Sequence, residues 1–106
     1  MFQIKQLLKF LNLNEENRVL DLGCGNGFIT EYIQDQTKSY VTGIELSPIA
    51  IGRAINRTYV KPHKRKFEIG DMNNLQFKPN SFDTAILIDT HYFLDDFVVR
   101  LFFWCC

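Results

Sequence analysis

Apolar residues recur at helical spacing from the start of the chain. Phe2, Ile4, Leu7, Leu8, Phe10 and Leu11 lie near three- and four-residue intervals, which predicts an amphipathic helix over 2–11. The polar stretch 12–17 closes it. Val19, Leu20 and Leu22 make Arg18–Leu22 a short strand candidate. Gly23, Gly25 and Gly27 follow, which excludes regular structure and marks a tight turn. Phe28, Ile29, Tyr32 and Ile33 then form the apolar face of a second helix running to about residue 36. Tyr40–Glu45 (YVTGIE) is β-branched and apolar, a second strand. Ser47 followed by Pro48 is a helix start, a hydroxyl N-cap with proline at the first helical position. Ile49, Ile51, Ala54 and Ile55 carry that helix to about residue 59. Residues 66–70 (KFEIG) and 84–88 (TAILI) complete the pattern as strands three and four.

Strands alternating with helices predict an α/β fold with right-handed crossovers and a parallel sheet. TAILI fits, since an unbroken apolar run is what a strand buried on both faces looks like. No internal repeat, low-complexity segment or linker interrupts the chain.

Composition narrows the function classes. The chain has 106 residues, 46% hydrophobic and 23% charged, which is one small globular domain. Twelve Lys and Arg balance twelve Asp and Glu, so no global field steers it to nucleic acid or an anionic membrane. No apolar run is long enough to span a bilayer, and the N-terminus lacks the pattern of a signal peptide. Three cysteines, two of them the adjacent Cys105 and Cys106, give neither a disulfide framework nor a metal spacing. A reducing cytoplasm is the expected compartment.

The chemistry begins at VLDLGCGNG, residues 19–27. A strand enters a glycine turn that opens a helix, so backbone can approach a ligand and the helix N-terminus offers free N–H groups. The dinucleotide pattern G-x-G-x-x-G fails, because Phe28 or Thr30 stands where its third glycine belongs. The pattern is D-x-G-x-G-x-G. Asp21, at the strand end, would repel a pyrophosphate and suits a ligand carrying a cationic ammonium group.

On these residues the sequence resembles the class I S-adenosylmethionine-dependent methyltransferases, over about residues 15–95. The resemblance implies a Rossmann-like three-layer sandwich, here incomplete, with a parallel sheet of strand order 3-2-1-4. In that family the turn wraps the methionine moiety of S-adenosyl-L-methionine, which carries over to Asp21, Gly23, Cys24, Gly25, Asn26 and Gly27. An acid ending the second strand grips the ribose hydroxyls, the place of Glu45, with Leu46 beside it. A carboxylate suits that task because it accepts from two adjacent hydroxyls at once. An acid after the third strand lies near the adenine amino group, the place of Asp71, with Met72 as an apolar contact to the ring. The end of strand four lies at the substrate side of the cofactor, the place of Asp89, His91 and Tyr92, with Asp89 read as a cofactor or helix-cap contact rather than a base. All these acids stand at carboxyl ends of strands, where open α/β sheets bind ligands. The implied activity is direct methyl transfer from the sulfonium to a small molecule. The alternative is an inactive cofactor-binding or interaction module.

Other residues read more plainly. Cys24 is a small side chain filling space between glycines rather than a nucleophile. Arg53, Arg57, Lys61, Lys64, Arg65 and Lys66 form a basic segment, read as a solvated helix end and loop rather than a nucleic-acid patch. His91 is the candidate for a general base, a role needed only for some acceptors. The sequence DTHY lacks the prolines of the amino-directed nucleic-acid methylases.

The family fold has seven strands, in the order 3-2-1-4-5-7-6, and four are accounted for here. The few residues between Ile88 and Phe97 are too short for a crossover to another parallel strand. Strand four, apolar on both faces, would then be an exposed sheet edge. Two readings follow. In one, the family-like sequence ends near Asp96 in a truncated or frame-disrupted chain, with a non-family tail over 97–106. In the other, a complete small protein folds its tail back as a helix or antiparallel strand. Residues 97–104 are expected to pack on the strand-four side, or else to drive self-association.

Overall fold

The computed structural model describes the backbone of residues 2–59, 64–91 and 96–102, and the side chains of 4–59 and 64–88. The elements are α1 (Phe2–Leu11), β1 (Arg18–Leu22), α2 (Phe28–Thr37), β2 (Tyr40–Glu45), α3 (Pro48–Thr58), β3 (Arg65–Ile69), β4 (Thr84–His91) and β5 (Asp96–Phe102). They form one sheet of order β3-β2-β1-β4-β5. β1 pairs in parallel with β2 and β4, and β2 with β3, which is the expected 3-2-1-4 arrangement. β5 runs antiparallel to β4.

Local chemistry places the helices. Ile4 and Leu8 bury one face of α1, and Asn12 ends it in a left-handed conformation, φ 51°. Gly27 opens α2 at φ 83°, and Lys38 closes it with its N–H on the Gln34 carbonyl. Ser47 caps α3 by accepting from the Ala50 N–H at 3.2 Å, with Pro48 at the first helical position.

Two apolar clusters lie on opposite faces of the sheet. Ile4, Leu8, Val19, Ile33, Val41, Ile86 and Ile88 form the one beneath α1 and α2. Leu20, Leu22, Ile44 and Ala85 form the other, with Leu87 of β4 packed beside them and Leu75, Phe77 and Phe82 covering it. The second covering layer is therefore irregular chain rather than helix, pinned by an edge-on Phe77–Phe82 pair at 4.8 Å. Among the described residues, no helix is long and apolar enough to cross a membrane.

The sequence expectation for strand four is corrected. It predicted an end at Ile88, but β4 continues to His91. Its edge is covered by β5, in line with the expectation that the tail packs on the strand-four side, here as an antiparallel strand. Its parallel pairing with β1 stops at Leu87, and the extension is paired only with β5. Asp89 and His91 therefore lie within the strand rather than beyond it. An antiparallel return requires only a short connection, whereas a parallel crossover requires a dozen or more residues. Tyr92 and residues 103–106 lie outside the described residues. β3 is shifted by one residue from its expected place, and Gly70 instead donates its N–H to the Glu45 carbonyl at 3.0 Å.

Candidate functional site

The site is built at the carboxyl ends of β1, β2 and β3. Gly23, Gly25 and Gly27 all have positive φ, at 67°, 55° and 83°. The turn closes when the Gly27 N–H donates to the Cys24 carbonyl at 3.0 Å, and it is tied to β2 by the Cys24 N–H on the Ile44 carbonyl at 2.9 Å. The surroundings of the three glycines differ. A Cβ on Gly27 would lie 2.6 Å from the Phe67 ring and 2.9 Å from Ala54. A Cβ on Gly23 would lie 3.2 Å from the Met72 methyl. A Cβ on Gly25 would meet nothing within 4 Å, so Gly25 faces the open side of the turn.

Asp21 is buried at the end of β1, 2% exposed, and its Oδ2 accepts from the Thr30 hydroxyl at 2.5 Å. Burial pushes its carboxyl up to about 7, against the lowering effect of Thr30. The acid thus sits behind the turn, engaged with α2. Cys24 is also buried. Burial first, then the charges of Asp21 and Glu45, push its thiol up to about 12. A thiol held protonated at neutral pH fills space and is no nucleophile.

Glu45 is held by two backbone donors. The Gly25 N–H reaches Oε1 at 3.1 Å and the Ser47 N–H reaches Oε2 at 2.9 Å. One carboxylate thus joins the open tip of the glycine turn to the capped start of α3. Leu46 follows it and is exposed. Asp71 is exposed after β3, and its Oδ1 accepts from the Asn73 N–H at 2.9 Å. A cavity of about 270 Å³ lies beside it, bounded by Ile44, Gly70, Asp71 and Phe77 among others. Met72 is partly exposed over Gly23. Asn26 is exposed in the turn. The turn, Glu45 and Met72 are therefore brought together, with Asp71 adjacent in the chain to Met72. Asp89 and His91 are placed by backbone alone, at the carboxyl end of β4.

Sequence reasoning missed three residues. Thr30 holds the Asp21 carboxyl. Gly43, in the middle of β2, leaves room for Cys24 and Thr30, whose atoms would lie 2.8 Å from a Cβ there. A glycine inside a β-branched strand was the available signal for such a close approach. Arg57 belongs to the basic segment read as solvated, yet it is internally committed. Its Nη1 donates to the Asn26 carbonyl at 2.7 Å and its Nη2 to Glu31 at 2.9 Å. Others in that segment are engaged likewise: Lys64 on the Glu15 and Lys38 carbonyls, Arg65 with Asp35, and Lys66 with Glu68. Lys61 lies outside the described residues.

A glycine turn of this geometry between β1 and α2, on a parallel sheet of order 3-2-1-4, defines a Rossmann-like α/β domain. The family described as "Methyltransferase domain" matches residues 19–103. The chain belongs to that family, within the class I S-adenosylmethionine-dependent superfamily it resembles. It is 32% identical over 92 residues to phosphoethanolamine N-methyltransferase 1 of Arabidopsis thaliana, covering 87% of this chain and 19% of that protein. It is 37% identical over 71 residues to the 18S rRNA (guanine-N(7))-methyltransferase of Bos taurus, covering 66% and 24%. Among solved structures, it resembles Haemonchus contortus phosphoethanolamine N-methyltransferase 2 in complex with S-adenosyl-L-methionine. That likeness has TM-score 0.73 and 26% identity, over 80% of this chain and 20% of that one. The chain spans about a fifth of the length of the curated relatives it matches first.

Proposed function

We propose that this chain binds S-adenosyl-L-methionine at the glycine turn and serves methyl transfer to a small molecule. The observation that carries this reading is the Glu45 carboxylate bridging Gly25 and Ser47 at the only one of the three turn glycines whose Cβ position is open. The residues present fit the group: an open turn tip for close backbone approach, an acid at the β2 end for a ribose, and Met72 and Leu46 as apolar surface for a base. When bound, the cofactor would supply a sulfonium methyl for direct transfer to the acceptor, with the thioether sulfur as leaving group. The chain's own residues do the holding. Glu45 accepts from hydroxyls, and Asp71 from an amino group. Asp21, with Thr30 on Oδ2, offers its charge behind the turn to a cation. Asp89 is a cofactor contact near the end of β4, and His91 belongs to the acceptor side, the candidate to take a proton where the acceptor must lose one.

A small-molecule acceptor is favoured over RNA by the balanced charge and by the internal ties of Arg57, Lys64, Arg65 and Lys66. The relatives include both kinds, a phosphoethanolamine and an rRNA methyltransferase. A cytoplasmic setting suits the free Cys24 thiol. The second reading is a cofactor-binding module without turnover. A radiolabelled methyl-transfer assay on metabolite pools separates them, since turnover rejects the second.

Titration calorimetry with S-adenosylhomocysteine tests the site. Wild-type chain gives binding heat, and Glu45→Ala weakens it by about tenfold or more, the loss of a charged hydrogen-bond partner. A folded wild type that gives no heat, or equal binding by Glu45→Ala, overturns the assignment.

A further inference from the structure

The open half of the glycine turn is held by Glu45, and its back half is gripped by a residue outside the proposed site. Arg57, on the last turn of α3, sends Nη1 to the Asn26 carbonyl at 2.7 Å. Its Nη2 and Nε reach the same Glu31 oxygen, at 2.9 and 3.3 Å. Its guanidinium lies 3.8 Å from the centre of the Phe28 ring. One side chain thus holds the carbonyl before Gly27, the ring after it, and the first turn of α2. Its side chain is only 29% exposed, and that of Glu31 13%, so the ion pair is partly shielded from water.

We infer that Arg57 is a positioning residue for the cofactor loop, acting through the Asn26 carbonyl. The peptide linking Asn26 to Gly27 is planar, so its carbonyl and N–H point in opposite directions. Fixing the carbonyl on Arg57 aims the Gly27 N–H at the Cys24 carbonyl, the bond that closes the turn at 3.0 Å. The closed turn in turn presents Gly25 toward Glu45. Ala54 on α3 and Phe67 on β3 press on Gly27 from the same side, so the loop has a rigid backing against which a ligand can bind. An arginine suits the place because its planar fork holds its donors in fixed directions toward two acceptors while it stacks on a ring, a geometry that a lysine's flexible point charge does not pre-organise.

This inference rests on the proposal that the turn holds the cofactor, and its test keeps the two apart. S-adenosylhomocysteine is titrated into wild type, Arg57→Ala and Arg57→Lys, with thermal melts alongside. Both variants are expected to bind about tenfold more weakly. Low-millimolar guanidinium is expected to restore part of the affinity of Arg57→Ala, a recovery that general destabilisation would not give. Wild-type affinity in Arg57→Lys overturns the inference, and that variant decides if Arg57→Ala fails to fold. If wild type itself does not bind, the cofactor proposal fails, and amide exchange at Gly27 in the free protein decides the matter of Arg57. Faster exchange in Arg57→Lys supports loop positioning, and unchanged exchange overturns it.

Discussion

Asp21 shows how one residue can carry opposed demands. Its carboxyl is enclosed by the sheet and α2, and burial raises it from an ordinary 3.8 to about 7. The folded state therefore holds a proton that the unfolded chain releases, across the window from about pH 4 to about pH 7. In that window the folded state binds more protons, so Asp21's contribution to stability falls as pH rises, and levels off above about 7. The full effect is on the order of 4 kcal/mol. Urea unfolding of wild type and Asp21→Asn from about pH 4 to about pH 8 isolates it, because every other group is common to both chains. The gap between the two profiles is expected to change steadily up to neutrality and then to stay constant. Parallel profiles would mean that Asp21 does not titrate there. A cationic ligand behind this acid would be bound best in the ionised state, so tight binding and low intrinsic stability go together at this position.

At the scale of elements, the sheet and helices were legible wherever the signal was local. Phe2–Leu11, Arg18–Leu22 and Tyr40–Glu45 carry their own periodicity, and the Ser47–Pro48 start of α3 is chemistry confined to neighbouring residues. β4 beyond Ile88 was not legible, because those residues are strand only by pairing with β5. The site divides in the same way. The glycine turn and Glu45 stand out by spacing. The Arg57–Asn26 and Gly43–Cys24 contacts join separate elements and leave at most a hint, such as a glycine inside a strand. The two kinds of glycine should behave differently on substitution. Gly43→Ala forces Cys24 and Thr30 away from a 2.8 Å approach, an overpacking expected to cost about 1–3 kcal/mol. Gly25→Ala meets nothing, so its stability cost is the left-handed backbone alone, about 1–2 kcal/mol, while its Cβ stands in the proposed cofactor site, where weaker binding is expected. Urea unfolding paired with S-adenosylhomocysteine titration checks both. Gly43→Ala as stable as wild type would show that α2 shifts freely on β2, contrary to the packing described.

The whole molecule is governed by how its sheet ends. The β3 edge carries Arg65, Lys66 and Glu68, charges that discourage strand addition by another chain. β4 has no such protection over TAILI, where Thr84, Ala85, Ile86 and Ile88 are buried. β5 supplies it by pairing from Ala85↔Phe102 to His91↔Asp96, and so turns a two-faced apolar strand into an interior one. The edge then passes to DFVVRLF, which bears Asp96 and Arg100. A chain ending at residue 95 should lose this cover and expose the β4 backbone groups to any partner strand. Size-exclusion chromatography with light scattering on the full and shortened chains is the measurement. The shortened chain is expected to elute as higher oligomers or to precipitate, and to melt at lower temperature. Were it instead a monomer of unchanged melting temperature, β5 would contribute nothing to the sheet, and the β4 edge would have to be covered by other means. The outcome also bears on the site. Asp89 and His91 lie in the part of β4 that only β5 pairs, so any work they do beside the proposed cofactor depends on that strand staying in place.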